Sequence, residues 1–151
     1  MTSKKTINSS HIETLLSCPF VHHVRRRCEK FRINFSLSLT SDCLCISDGD
    51  TTDGFFDPPS RTTPGTLCLS VAGKDLSEIY HTLAHEFCHL EQWVRDDALW
   101  VKWMKRSSRK STLALERRTE EEALEILKQF NLYDDSMLDR MNKYLRRLEN
   151  S

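Results

Sequence analysis

A single helix with two chemically different faces most constrains how this chain can fold. It is predicted from Asp75, which has capping-box spacing to Glu78, as far as Val94. Its apolar residues recur every three or four positions: Leu76, Ile79, Leu83, Phe87, Leu90 and Val94. At about 3.6 residues per turn, His85 and His89 fall on nearly the opposite face. The helix must therefore bury one face in a core and turn the other toward a separate space, as a cleft requires.

The other apolar patterns predict an α+β fold. Helical spacing predicts helices over 12–31 and 112–130 and a last helix that starts at 134–136. Pro19 is expected to kink the first of these or to start a second helix near Ser17. Alternating residues predict strands over 33–39 and 67–71, and residues 43–46 are a candidate for a further strand. The order predicts a small β-sheet packed on the central helix, with further helices toward the C-terminus.

We expect residues 1–151 to form a single domain, because 151 residues suit one compact unit. Residues 1–10 are polar and are expected to be disordered. A long loop is predicted over 47–65, where Gly, Pro, Asp and Thr crowd together. Residues 104–111 are predicted to form a loop that connects two helices.

Composition and charge exclude several classes of protein. The 22 Lys and Arg residues balance 22 Asp and Glu residues, which argues against a general nucleic-acid binder. No apolar run reaches the roughly 18–20 residues of a membrane span, and no apolar segment follows the basic N-terminus as in a signal peptide. The six cysteines are then expected to be reduced thiols. We therefore expect a cytoplasmic protein without a membrane anchor, in its own cell or in a host.

The motif His85-Glu86-Phe87-Cys88-His89 matches the pattern HExxH. Two histidines at i and i+4 on a helix bring two imidazole nitrogens to one metal ion, and zinc is the metal this ligand type favours. Glu86 follows the first histidine and is placed to take the proton of a zinc-bound water. The motif predicts one zinc ion per chain, with His85 and His89 as ligands and Glu86 as the catalytic base.

A catalytic zinc ion has a third protein ligand, which must come from another part of the chain. The extended pattern HExxHxxGxxH is absent, since Gln92 and Asp96 stand at its Gly and His positions. Glu116 and Glu120 lie on the apolar stripe of the 112–130 helix, where a carboxylate needs a partner. Three other glutamates of this helix fall on its solvent side: Glu121, Glu122 and Glu125. Glu116 and Glu120 therefore both remain candidates for the third ligand.

His81 shares the face of His85 and His89. His81 and His85 also stand at i and i+4, but Thr82 rather than a carboxylate follows the first of that pair. We therefore expect His81 to support the metal ligands or to contact the substrate, and an exposed surface histidine is the alternative. The group that would stabilise an oxyanion stays open between His81, Tyr80 and Tyr133.

The segment LAHEFCHLEQW, followed by a helix with Glu116-Arg117-Arg118-Thr119-Glu120, resembles the gluzincin branch of the zincin metallopeptidases. It is similar to small metallopeptidases of phages and other viruses, over roughly residues 66–132. The resemblance implies a zincin-like domain in which Glu116 is the third zinc ligand and Glu120 supports a ligating histidine. Glu120 is longer than the Asp or Asn frequent there, so it is the alternative ligand. The resemblance also implies that strand 67–71 pairs with an extended peptide.

These observations predict a zinc metallopeptidase that acts on a peptide or protein substrate through a water activated by Glu86. One alternative is a zincin-fold binding or regulatory protein, such as a viral factor that engages a host protein, with a metal site but no turnover. The intact Glu86 argues against it, because metal binding alone does not need this residue. The other alternative is a structural protein with an accidental HExxH motif, which would leave Glu116 and Glu120 without a partner.

Overall fold

The structure, a computed structural model, describes residues 9–39, 43–44 and 51–151 of the chain. Six helices and five strands lie within these residues. The helices are α1 (Ser9–Ser17), α2 (Pro19–Lys30), α3 (Leu76–Val94), α4 (Ala98–Lys105), α5 (Arg109–Gln129) and α6 (Asp135–Glu149). The strands are β1 (Ile33–Ser38), β2 (Cys43–Leu44), β3 (Thr51–Thr52), β4 (Gly54–Asp57) and β5 (Gly65–Ser70). This mixture of helices with a small sheet confirms the predicted α+β class.

The main sheet has three strands in the order β1-β5-β4. β1 and β5 are parallel, with Ile33 opposite Gly65, and β4 is antiparallel to β5, with Gly54 opposite Leu69. β5 is therefore the central strand with a neighbour on each side, so the expectation that strand 67–71 pairs with an extended peptide is wrong. Within the described residues, the edge on the side of the candidate site belongs to β4.

The presence of β4 also contradicts the prediction of one long loop over 47–65. This segment contains β3 and β4, and its residues 47–50 lie outside the described part of the chain. Only Phe55 and Phe56 in β4 are strongly apolar, and turn-forming residues surround them. The strand forms because β5 supplies its hydrogen bonds and because both phenylalanines are buried.

The helix α3 packs its apolar face against the sheet. Leu67 and Leu69 of β5 belong to the same buried cluster as Leu83, Phe87 and Leu90 of α3. Asp75 caps the helix, since its Oδ1 accepts a hydrogen bond from the backbone N–H of Glu78 at 2.9 Å. This cap and the end of α3 at Val94 confirm the predicted bounds.

The position of β4 depends on close contact with α3 at Gly54. A Cβ atom at residue 54 would lie 2.8 Å from Cγ2 of Thr82 and 3.0 Å from the carbonyl oxygen of Cys68. Thr82 follows His81 in α3, and both residues line the cleft described below. Because Gly54 has no side chain, β4 can approach α3, the helix that carries the histidines.

Pro19 begins a separate helix, α2, which confirms the second of the two alternatives predicted there. Two other predicted boundaries change. The loop predicted over 104–111 is only residues 106–108, because the Ser108 hydroxyl accepts from the N–H of Ser111 and so starts α5 at Arg109. Ser9 and Ser10 belong to α1 rather than to a disordered segment, and the rest of that prediction, residues 1–8, lies outside the described residues.

Candidate metal centre

His85 and His89 occupy adjacent turns on the face of α3 that meets α5. Their ring centroids are 4.8 Å apart, and the rings stand nearly perpendicular to one another. The Trp100 ring of α4 packs on the other side of His89, with its centroid 5.4 Å away. His89 is only 8% exposed, so its ring is held by packing as well as by the helix.

Glu116 of α5 completes this group. Its Oε2 atom lies 2.9 Å from Nε2 of His85 and 3.6 Å from Nε2 of His89. One ligand atom from each of these three residues lies within 4.8 Å of the other two, a spacing at which one metal ion can be bound. The group is called the metal triad below.

The metal triad fits a cation for a further reason. Oε2 of Glu116 is buried and has no hydrogen-bond partner, although two imidazole nitrogens are close to it. A buried carboxylate oxygen without a well-directed donor is costly, and a cation held between this oxygen and the two imidazole nitrogens would stabilise it. Burial acts to raise the pKa of Glu116, but His85 and His89 lower it below its ordinary range. Glu116 in turn raises the pKa of His85 against the opposite effect of burial.

Glu120 lies one turn further along α5 and has a different set of contacts. Its Oε2 atom is 2.9 Å from Nε2 of His81, which donates the hydrogen bond, because Nδ1 of His81 accepts from Nε of Arg140 at 3.3 Å. Its distance to Nδ1 of His85 is 3.7 Å, longer than a hydrogen bond. Burial acts to raise the pKa of Glu120, but the contacts with His81 and His85 lower it to about 2. His81, Glu120 and Arg140 are called the closed cluster below.

This geometry distinguishes the two candidates for the third ligand. A carboxylate oxygen of Glu116 lies close to the ligand nitrogens of both His85 and His89, whereas the carboxylate of Glu120 is hydrogen-bonded to His81. His81 itself is only 6% exposed, so the alternative of an exposed surface histidine is wrong.

The sequence analysis missed the support of His89. Oε1 of Gln92 lies 2.9 Å from Nδ1 of His89, and Nε2 of Gln92 donates to the hydroxyl of Thr119 at 2.9 Å. That hydroxyl donates to the carbonyl oxygen of Leu115 at 2.7 Å. The chain of bonds makes Gln92 an acceptor at Nδ1, which leaves the lone pair of His89 on Nε2, facing Glu116. Gln92 stands at i+3 from His89, and that spacing is the signal that could have identified it.

Glu86 lines a cleft of about 930 Å³ together with His85 of the metal triad. The cleft is bounded by the end of β3 and the start of β4, by α3 and by α6. Burial raises the pKa of Glu86. A carboxylate of higher basicity next to a candidate metal site can accept a proton and return it.

The last helix contributes a residue that the sequence analysis did not single out. The Tyr144 ring lies 5.9 Å from the ring of His85, and Tyr144 lines the cleft. Tyr80 and Tyr133, which the sequence left open as oxyanion-stabilising groups, are not among the lining residues. Tyr80 belongs to the hydrophobic core and Tyr133 lies under the ammonium group of Lys128.

Comparisons with protein-family models, with curated proteins and with solved structures give no match to the chain. Among the described residues, no helix combines the length and the apolar character needed to cross a bilayer.

Proposed function

We propose that this protein is a zinc-dependent metallohydrolase of the gluzincin type that cleaves peptide bonds. The observation that carries the proposal is the convergence of His85, His89 and Glu116 around a buried Oε2 atom without a hydrogen-bond partner. Two imidazoles and one carboxylate are a ligand set of catalytic zinc sites and leave a fourth position open. The zincin-like arrangement, the kinship with small viral metallopeptidases and a cytoplasmic location are parts of this proposal.

His85, His89 and Glu116 would hold the ion. A zinc ion bound there would polarise the substrate carbonyl and lower the pKa of a water molecule toward neutrality. Glu86 accepts the proton of the attacking water and then delivers it to the leaving amine. Its burial favours this exchange, because the raised pKa makes the carboxylate a better base than an exposed glutamate.

A peptide is the substrate that fits the surroundings of the site best. The edge strand β4 begins with Gly54, which lines the same cleft as His85 and Glu86. Backbone groups on a free strand edge can pair with an extended peptide. Tyr144, which stands beside His85, is the candidate donor to the oxyanion that forms when the carbonyl is attacked.

The first test is metal content and turnover in four purified proteins: wild type, His85→Ala, Glu86→Gln and the control His22→Ala, which removes an exposed histidine. We expect about one zinc per chain in all except His85→Ala. A chelator should lower the melting temperature of the three zinc-containing proteins only. Cleavage of a peptide library, read by mass spectrometry, should occur with wild type and His22→Ala but not with Glu86→Gln.

The outcomes separate the alternatives that the sequence left open. Zinc binding without cleavage by the wild type would favour a binding or regulatory protein that keeps the metal site. Absence of zinc from all four proteins after refilling, with no effect of the chelator, would contradict the proposed metal site.

A further inference from the structure

The helix α6 presents a row of positive charges to the cleft. Arg140, Lys143, Arg146 and Arg147 line it together with Tyr144 and are called the basic wall. Arg140, Lys143 and Arg147 stand at i, i+3 and i+7, which brings them to one side of the helix. The other side carries Met137 and Leu145 into the core. The charges of the basic wall therefore face the space above the catalytic residues.

Within the described residues, no carboxylate oxygen lies at ion-pair distance from the basic wall. Arg140 donates to His81, Ser77 and Ser136, which carry no negative charge. In the part of the chain that the structure describes, Lys143 and Arg146 make no side-chain hydrogen bond or ion pair. The guanidinium group of Arg147 lies 6.0 Å from the centre of the Tyr144 ring. Like charges at i and i+4, as in Lys143 and Arg147, destabilise a helix. The side chains of Lys143, Arg146 and Arg147 are exposed to solvent, so they are available to an anionic ligand.

The basic wall is close to the reacting groups. Arg147 lies over the Tyr144 ring, and that ring lies against His85. Arg140 contacts His81, which contacts Glu120. An acidic side chain of a bound peptide could thus reach the basic wall while the peptide bond to be cleaved lies beside His85. The two would be only a few residues apart along the peptide.

We infer that the cleft selects acidic peptides, whose Asp or Glu side chains lie against Lys143 and Arg147 while the backbone runs along β4. This rests on the peptidase function proposed above and names its substrate class. Complementary charge gives specificity and speeds association, which suits a cleft that is open to solvent. Lys143 and Arg147 are then specificity-determining residues, because they contact substrate side chains and not the reacting bond.

A peptide fits this cleft better than a nucleic acid does. Carboxylates also line the cleft, among them Glu78 and Glu86, and they would repel the continuous charge of a phosphate backbone. The chain also carries no net charge, whereas nucleic-acid binders rely on excess positive charge. An acidic peptide can place its side chains on one wall and its uncharged backbone on the other.

The test measures binding and does not depend on turnover. Fluorescence anisotropy is recorded with zinc-loaded and zinc-free Glu86→Gln protein, full length, and with three short blocked peptides that alternate Ala with Glu, Gln or Lys. A short oligothymidylate is the fourth probe. We expect the Glu peptide to bind about 10-fold more tightly than the Gln peptide at low salt, because several modest charge contacts add together. High salt should remove most of this preference.

Charge reversal tests whether the basic wall causes the preference for the Glu peptide. Lys143→Glu/Arg147→Glu in the same background should reduce the preference for the Glu peptide to about twofold or less. The matched control is Lys102→Glu/Arg106→Glu, an exposed Lys and Arg at the same i, i+4 spacing outside the cleft. It makes the same change in net charge and should keep the full preference. The milder Lys143→Ala/Arg147→Ala replaces the reversal if melting curves show that the latter is unfolded.

Each outcome bears on one proposal. Equal binding of the Glu and Gln peptides, an equal loss in the control, or tighter binding of oligothymidylate than of the Glu peptide would overturn the acidic-peptide inference. Preference for the Glu peptide in zinc-free protein that fails to take up zinc would support the inference while contradicting the metal site. Binding of the Glu peptide that survives charge reversal and needs zinc would mean that its carboxylates bind the metal, which also overturns the inference.

Discussion

Two clusters of histidine and glutamate lie one turn apart between α3 and α5, and their chemistry differs. In the closed cluster, His81 donates to Glu120 and accepts from Arg140, so both of its ring nitrogens have partners. In the metal triad, Nε2 of His85 and Nε2 of His89 approach the same oxygen of Glu116, which has no hydrogen-bond partner. The same residue types thus form directed hydrogen bonds in one cluster, whereas in the other they converge at a spacing that could hold a metal ion.

The difference shows how a helical repeat can place the same residue types in two different environments. His81, His85 and His89 recur every four residues, as do Glu116 and Glu120. Arg140 comes from α6 and satisfies only the histidine nearest to it. Gln92 and Thr119 satisfy Nδ1 of His89 and leave Nε2 for a metal. The neighbours of each histidine, rather than its position in the repeat, decide what it can bind.

The largest expected difference between the clusters concerns zinc affinity. Glu116→Gln should weaken zinc binding by more than about 100-fold, beyond the usual effect of a residue that only supports a ligand. Glu120→Gln should weaken it by less than about 10-fold, since this carboxylate is 3.7 Å from His85. Competition with a chromophoric chelator measures both. Glu125→Gln, on the exposed side of α5, is the control, and the reverse order of effects would make Glu120 the ligand.

An intermediate effect is expected from the residues that orient His89. Gln92→Leu should weaken zinc binding by about 10- to 100-fold, because the imidazole then loses the acceptor at Nδ1. Thr119→Val should act in the same direction, since it frees the Gln92 amide to turn. The same chelator competition is used, with the exposed Gln129→Leu as the control. Unchanged affinity in both variants would mean that packing against Trp100 alone orients the ring.

The smallest effect on zinc, but a clear effect on folding, is expected in the closed cluster. His81→Leu leaves the Glu120 carboxylate buried without its donor and should destabilise the metal-free protein by about 1–3 kcal/mol. His81→Leu/Glu120→Leu should recover most of this loss, because replacing both partners by apolar groups removes the unpaired charge. Urea unfolding of the metal-free proteins measures both. A double variant no more stable than the single one would show that the pair does not act as a unit.

The sequence alone predicts the helix that carries the site and most of the residues in it. The periodicity of α3 separates its apolar face from His85 and His89, and the structure has the helix over the predicted residues. The apolar stripe of α5 selects Glu116 and Glu120 from five glutamates. The choice between them depends on how α5 crosses α3, and no local pattern encodes a crossing.

The features that the sequence missed depend on tertiary contacts. β4 has two apolar residues among turn formers, and its formation depends on pairing with β5. The spacing of Arg140, Lys143 and Arg147 is visible in the sequence, but it is typical of a solvated helix face. Only the packing of Met137 and Leu145 into the core turns that face over the cleft.

The hydrogen bond between Gln92 and Thr119 has a consequence for how the two helices are aligned. Because the acidic residues of α5 repeat every four positions, a slip of α5 by one turn, about 5.4 Å, would bring Glu120 to the place of Glu116. The same slip would put Ala123 opposite Gln92, where Thr119 now stands, and would bury an amide without its acceptor. The hydroxyl of Thr119 thus favours the present alignment of α5 on α3 over the one shifted by one turn. Thr119→Ala would remove that distinction.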